Sequence, residues 1–203
     1  MAKKIIAIVG SYRKDGIIDQ TIDAVLEAAR KKGADTEKAY LTGKHIEFCT
    51  NCRACTQDSP EKIRGVCVFK DDMNELLDKI DSADGIVLGS PVNFSTVTAL
   101  MKRFIERLIA YAYWPWGSKV PAGRIKIPGK KAVVITASGC PASIARFLMP
   151  SAINIMKTAS RAMGAKVIKS LYFGMVCQSK DQKLNNKQLE AAQAAGRALL
   201  ESV

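Results

Sequence analysis

The chain has 203 residues, 48% of them hydrophobic and 25% charged, with 14 Gly and 7 Pro. That composition excludes disordered and collagen-like chains, and the length fits one domain spanning 1–203 with a sizeable core. Lys and Arg outnumber Asp and Glu by 31 to 19, giving +12, yet the basic residues are scattered and carry no zinc-finger, RNA-recognition or basic-zipper signature, so no nucleic-acid partner is expected.

Lys4 to Val9 (KIIAIV) is a short β-branched run ended by Gly10-Ser11, which suits a strand buried on both faces. Its apolar stretch is too short for a secretory leader behind the basic Met1 to Lys4. No run approaches the roughly 20 apolar residues of a membrane span, so the expected location is cytoplasmic. Ile18, Ile22, Val25, Leu26 and Ala29 share one helical face, closed by Lys31-Lys32-Gly33. Glu37 to Leu41 reads as a weaker second strand. Met73, Leu76, Leu77 and Ile80 mark a helix opening at Asp71-Asp72, acids suited to a helix N-terminus.

Gly85 to Leu88 predicts a third strand, broken by Gly89-Ser90-Pro91. Leu100, Phe104 and Leu108 mark a third helix, Lys131 to Thr136 a fourth strand, and about Ile144 to Met163 one long apolar helix. Val167 to Phe173 is the fifth strand, and Leu189, Ala192, Leu199 and Leu200 should face inward from a last helix. The alternation implies an α/β doubly wound parallel sheet. Tyr113 to Gly129 is the long irregular stretch, expected to be functional or interfacial. Its aromatic residues Tyr113, Trp114 and Trp116, with the nearby Tyr111, leave three readings open: a ligand wall, a subunit interface or a core cap.

Open parallel sheets bind ligands beyond the carboxyl ends of the strands where the strand order reverses. In the flavodoxin-like order 2-1-3-4-5 this lies between strands 1 and 3, at Gly10-Ser11 and Gly89-Ser90-Pro91. Neither loop carries a G-x-G-x-x-G or P-loop pattern. The loop Gly10 to Gly16 nonetheless suits a terminal phosphate, through free amides at the start of the first helix, the charged fork of Arg13 and the hydroxyls of Ser11 and Thr21.

A cysteine-rich insertion occupies about 48–68. Cys49-x2-Cys52-x2-Cys55 sets three thiols on one tight loop, and Cys67 follows after eleven residues. The spacing suits a 4Fe-4S ligand set, with zinc and unligated thiols as the alternatives. Cys140 and Cys177 lie outside the cluster and read as buried small hydrophobes. His45 reads as a surface residue.

Gly10-Ser11-x-Arg13-Lys14, Gly89-Ser90-Pro91-Val92-x-Phe94 and Met101-Lys102-x-Phe104-Ile105-x-Arg107, in this order, resemble the NAD(P)H-dependent FMN reductase family. The cysteine cluster resembles its iron-sulfur flavoprotein branch. The resemblance implies FMN as cofactor, NAD(P)H as co-substrate and a possible 4Fe-4S cluster on Cys49, Cys52, Cys55 and Cys67. It further implies Ser11, Arg13 and Gly16 at the phosphate, Ser90, Pro91, Val92, Asn93, Phe94 and Thr96 at the ring and ribityl chain, and Thr136, Ser138 and Gly139 at the ring's other edge. Hydride transfer then needs no protein acid or base. The implied activity is reduction of a flavin, quinone or other acceptor, and the alternative is an electron carrier serving ferredoxin-like partners. A homodimer or homotetramer is expected. The family's Pro and Tyr are replaced here by Tyr12 and Asn93, and Ile17-Ile18-Asp19-Gln20-Thr21 departs from its Asn-Thr after the glycine.

Overall fold

The computed structural model describes residues 2–201. Five parallel strands are ordered β2-β1-β3-β6-β7, where β1 is Lys4–Val9, β2 Asp35–Tyr40, β3 Gly85–Pro91, β6 Lys130–Ala137 and β7 Ala165–Phe173. This is the expected order, with β4 (Ala112–Tyr113) and β5 (Ala122–Gly123) inserted as a separate antiparallel pair. The stretch Tyr113 to Gly129 is therefore partly a β-ribbon.

The two faces of the sheet follow from strand alternation. Ile6, Ile8, Ile86, Leu88, Ala132 and Val134 point to one side, where they meet α2 (Asp72–Ser82), α3 (Ala99–Arg107) and α5 (Ser151–Ala162). Ile5, Ala7, Val9, Val87, Val133 and Ile135 point to the other, against α1 (Ile17–Arg30) and α6 (Asn186–Ala198). Each such Ile, Leu or Val side chain contributes roughly 1.5–3 kcal/mol by leaving water, so both covering layers are needed to bury a sheet this apolar.

Three expectations are corrected. Strand 3 is not broken at Gly89 but runs to Pro91, because Gly89, Ser90 and Pro91 stay in register with Ile135, Thr136 and Ala137 of β6. The long helix is two: α4 (Ala142–Leu148) and α5, separated where Pro150 cannot continue the preceding helix's hydrogen bonding. Leu189 is 37% exposed, lying at a groove between α1 and α6 rather than in the core. Among the described residues no helix is long and apolar enough to cross a membrane.

Candidate functional site

Three loops meet at the carboxyl end of the sheet. After β1, the chain passes α3 so closely that a Cβ on Gly10 would lie 2.7 Å from Met101 Cβ, and Gly10 N–H donates to Gly89 O at 2.8 Å. Ser11 Oγ accepts from Arg13 N–H at 3.2 Å, tightening the turn. Gly16 is the N-cap of α1 and brings no side chain to its first-turn amides, which leaves them for an anion. Arg13 Nη2 donates to Lys180 O at 2.7 Å, tying this loop to the segment after β7. Thr21 is buried, and its hydroxyl donates to Ile17 O at 2.5 Å inside the helix.

The same loop rests on a carboxylate that sequence reading missed. Asp19, 2% exposed, accepts from Asp15 N–H at 2.8 Å and from Tyr40 OH at 3.0 Å, and lies 2.6 Å from Lys38 Nζ. Asp15 is held at φ 59, a left-handed conformation that this bond secures. Burial alone would lower the Lys38 pKa, but bonds to Asp19, Asp23 and Tyr40 outweigh it and raise the pKa above the ordinary range. The available signal was an acid on the apolar face of a helix, between Ile18 and Ile22.

The second loop is knit to the first. Ser90 is fully buried, donates to Pro91 O at 3.1 Å and accepts from Thr98 N–H at 3.1 Å. Thr98 caps α3 and donates its hydroxyl to Gly10 O at 2.6 Å. Pro91 and Val92 are half-buried, and Val92 N–H donates to Ala137 O at 2.8 Å. Asn93 and Thr96 close a tight turn through paired backbone bonds of 2.7 and 3.2 Å, which leaves Phe94 fully exposed at its tip.

At the end of β6, ahead of the third loop, Thr136 is fully buried, and its Oγ1 has no hydrogen-bond partner among the described residues. Ser138 Oγ donates to Cys140 O at 3.1 Å, and Cys177 packs against exposed Gly139. Cys140 and Cys177 are both exposed, contrary to expectation, because they fall in loops beyond the strand ends rather than within strands. The structure thus gathers Gly10, Ser11, Arg13, Gly16, Ser90 to Phe94, Thr96, Thr136, Ser138 and Gly139 at one edge. Of the predicted hydroxyls, those of Ser11, Thr21, Ser90 and Ser138 are engaged within the protein. Clefts of about 520 and 600 Å³ lie elsewhere, at the amino ends of the strands and beside α1 and α6.

The four cysteines Cys49, Cys52, Cys55 and Cys67 line one narrow cleft together with Arg107. Cys67 returns to the other three because Gly65 packs directly on the Cys55 carbonyl, where any Cβ would collide with the oxygen, while Gly65 N–H donates to Ala110 O at 2.8 Å. Arg124, 8% exposed, donates to the carbonyls of Cys55, Asp58, Ser59 and Ala112, so the segment after Cys55 is firmly held. Trp114 and Trp116 stack on Arg53, 3.8 and 4.2 Å from its guanidinium carbon. Of the three readings of the aromatic stretch, none named this bracing of the cysteine loop. Burial first, then the charges of Cys67, Cys49 and Cys52, push the Cys55 thiol up to about 11. Among the described residues no group of three or more His, Cys, Asp or Glu side chains is arranged to hold a metal ion, the four cysteines included. His45 is exposed and pairs with Glu47 at 2.9 Å.

A family model described as NADPH-dependent FMN reductase matches residues 3–176. An iron-sulfur flavoprotein of Archaeoglobus fulgidus is 38% identical over 112 residues, 55% of this chain and 48% of that protein. One of Methanosarcina thermophila is 32% identical over 106 residues, 52% of each. The chain thus spans about half the length of the curated relatives it matches. Among solved structures, an NAD(P)H:quinone oxidoreductase from Methanothermobacter marburgensis shares the fold, with a TM-score of 0.70, 19% identity and coverage of 98% of this chain and 100% of that one. The solved structure shares the fold, and the family match over most of the length shows the family: the chain belongs to the NADPH-dependent FMN reductase family.

Proposed function

We propose that the protein is an FMN-dependent oxidoreductase that takes hydride from NAD(P)H and passes electrons to a flavin, a quinone or another small acceptor. The observation that carries this reading is the pairing at the switch point of an uncapped α1 N-terminus with a buried Thr136 hydroxyl, without a partner among the described residues, across the strand ends. The first-turn amides, Ser11, Gly16 and Arg13 would hold the phosphate. The turn from Pro91 to Thr96 would border the ring on one side, and Thr136, Ser138 and Gly139 on the other. Bound FMN supplies hydride acceptance and onward transfer, chemistry that needs no protein acid or base. The chain's own task is to orient the nicotinamide and exclude water. Exposed Tyr12, Phe94, Ile144, Phe147, Leu148 and Met175 in and beside these loops support a homodimer or homotetramer that covers them.

A second feature is favoured by the convergent cysteines. Four thiols line one cleft, and their sequence spacing, three evenly spaced cysteines and a distant fourth rather than two separated C-x2-C pairs, supports a 4Fe-4S ligand set over tetrahedral zinc. Such a 4Fe-4S cluster supplies one-electron transfer, and the protein would then also serve ferredoxin-like partners. The test is anaerobic mixing of the flavin-loaded protein with NADPH or NADH. Bleaching of the flavin absorbance, re-oxidised by a quinone, is expected. A flavin that neither nucleotide reduces would leave only the electron-carrier reading.

A further inference from the structure

Arg107 ends α3 with its side chain only 2% exposed, paired to Asp71, itself 1% exposed. Its Nη1 donates to Asp71 Oδ2 at 2.6 Å and to Glu47 O at 2.9 Å. Its Nη2 donates to Asp71 Oδ1 at 3.3 Å and to Cys67 Sγ at 3.2 Å. Asp71 is fixed in turn by Glu47 N–H at 2.8 Å and Met73 N–H at 3.1 Å, and the Phe69 ring lies 5.2 Å from the guanidinium. One carboxylate already balances the charge. The fork's remaining donor is aimed at the sulfur, and burial keeps it from turning to water.

We propose that Arg107 is a positioning residue for the cysteine site, holding Cys67 in place as the fourth ligand and setting the potential of the group it binds. The proposal rests on the 4Fe-4S reading above. Reduction makes the ligand sulfurs more negative, so a fixed cationic N–H donor stabilises the reduced form more than the oxidised one. A purely structural role, pinning Asp71 and the Glu47 carbonyl, would leave the potential unchanged.

The test is a redox titration followed by electron paramagnetic resonance on the anaerobically reconstituted protein, wild type against Arg107→Lys and the double variant Arg107→Met/Asp71→Asn. Lys keeps the charge opposite Asp71 but loses the fork. The double variant strands no buried charge, and Asn retains the capping oxygen for α2, so it decides the matter if the single variant does not fold. With about four irons per chain, each variant should show a reduction equilibrium about tenfold less favourable, the scale of one charge-assisted hydrogen bond, or about 59 mV for one electron. A chelator should also strip its iron faster. A folded variant that retains flavin but assembles no cluster supports the positioning role. Full iron with the wild-type potential and release rate overturns the proposal. A wild type that takes up no iron and sulfide overturns the cluster reading itself, and is recognised before any variant is measured.

Discussion

Arg13 joins two loops at once, since its guanidinium reaches Lys180 O while its backbone closes the Ser11 turn. Arg13→Ala should weaken FMN binding ten- to a hundredfold, the loss of one charge-assisted contact of about 1.5–3 kcal/mol. Fluorescence titration with FMN checks this, and an unchanged affinity removes Arg13 from the site. Asp71 carries a pH signature. Burial would raise its pKa, but Arg107 and the amides of Glu47 and Met73 outweigh that and hold it below the ordinary 3.8. A depressed carboxylate stabilises the fold above its unfolded pKa and loses that contribution as pH falls through the folded value. The stability gap between wild type and Asp71→Asn in urea should therefore be wide at neutral pH and narrow below about pH 4. An equal gap at both would remove the ionised Asp71 from the stability account. Arg107 stood in a recognised sequence motif and Cys67 in a recognised cluster, yet their 3.2 Å contact joins positions 40 residues apart, and no local pattern encodes such a pair.

At the level of elements, strands and helices were readable wherever one periodicity ran undisturbed, as in β1 and α1, whose apolar residues repeat cleanly. Reading failed where tertiary contacts decide. Gly89-Ser90-Pro91 looks like a turn in isolation, but the neighbouring β6 holds it in register. The eleven residues between Cys55 and Cys67 carry no periodicity that would return Cys67 to the others, but Arg124 and Gly65 fold the segment back so that it rejoins them. Gly65→Ala drives a methyl into the Cys55 carbonyl and should cost about 1–3 kcal/mol, together with most of the iron taken up on reconstitution. Gly123→Ala, with no atom within 4 Å of the new methyl, is the control and should melt like wild type. Equal melting temperatures and iron contents would show that the loop does not depend on that close approach.

Across the whole molecule, α3 links the two candidate centres. Thr98 at its start binds Gly10 O and Ser90 Oγ, and Arg107 at its end binds Cys67. Its nine residues span about 14 Å, so the loops at the carboxyl edge and the cysteine cleft are held at a fixed separation by one rigid element. The apolar side chains left uncovered around α4 make a further prediction at this scale. Light scattering should report a multiple of the 22.0 kDa chain mass, and Phe147→Glu, at a position 84% exposed in the single chain, should shift it toward the monomer. A monomeric wild type would contradict the oligomer. The central claim is that the carboxyl edge between β1 and β3 binds FMN, and the direct measurement is the flavin content of anaerobically purified protein incubated with FMN and desalted. About one FMN per chain, lost when Ser90→Trp forces a bulky ring into the fully buried end of β3 in a still-folded protein, is the predicted result; a wild type that retains no flavin, or a folded Ser90→Trp variant that retains it fully, would contradict the account.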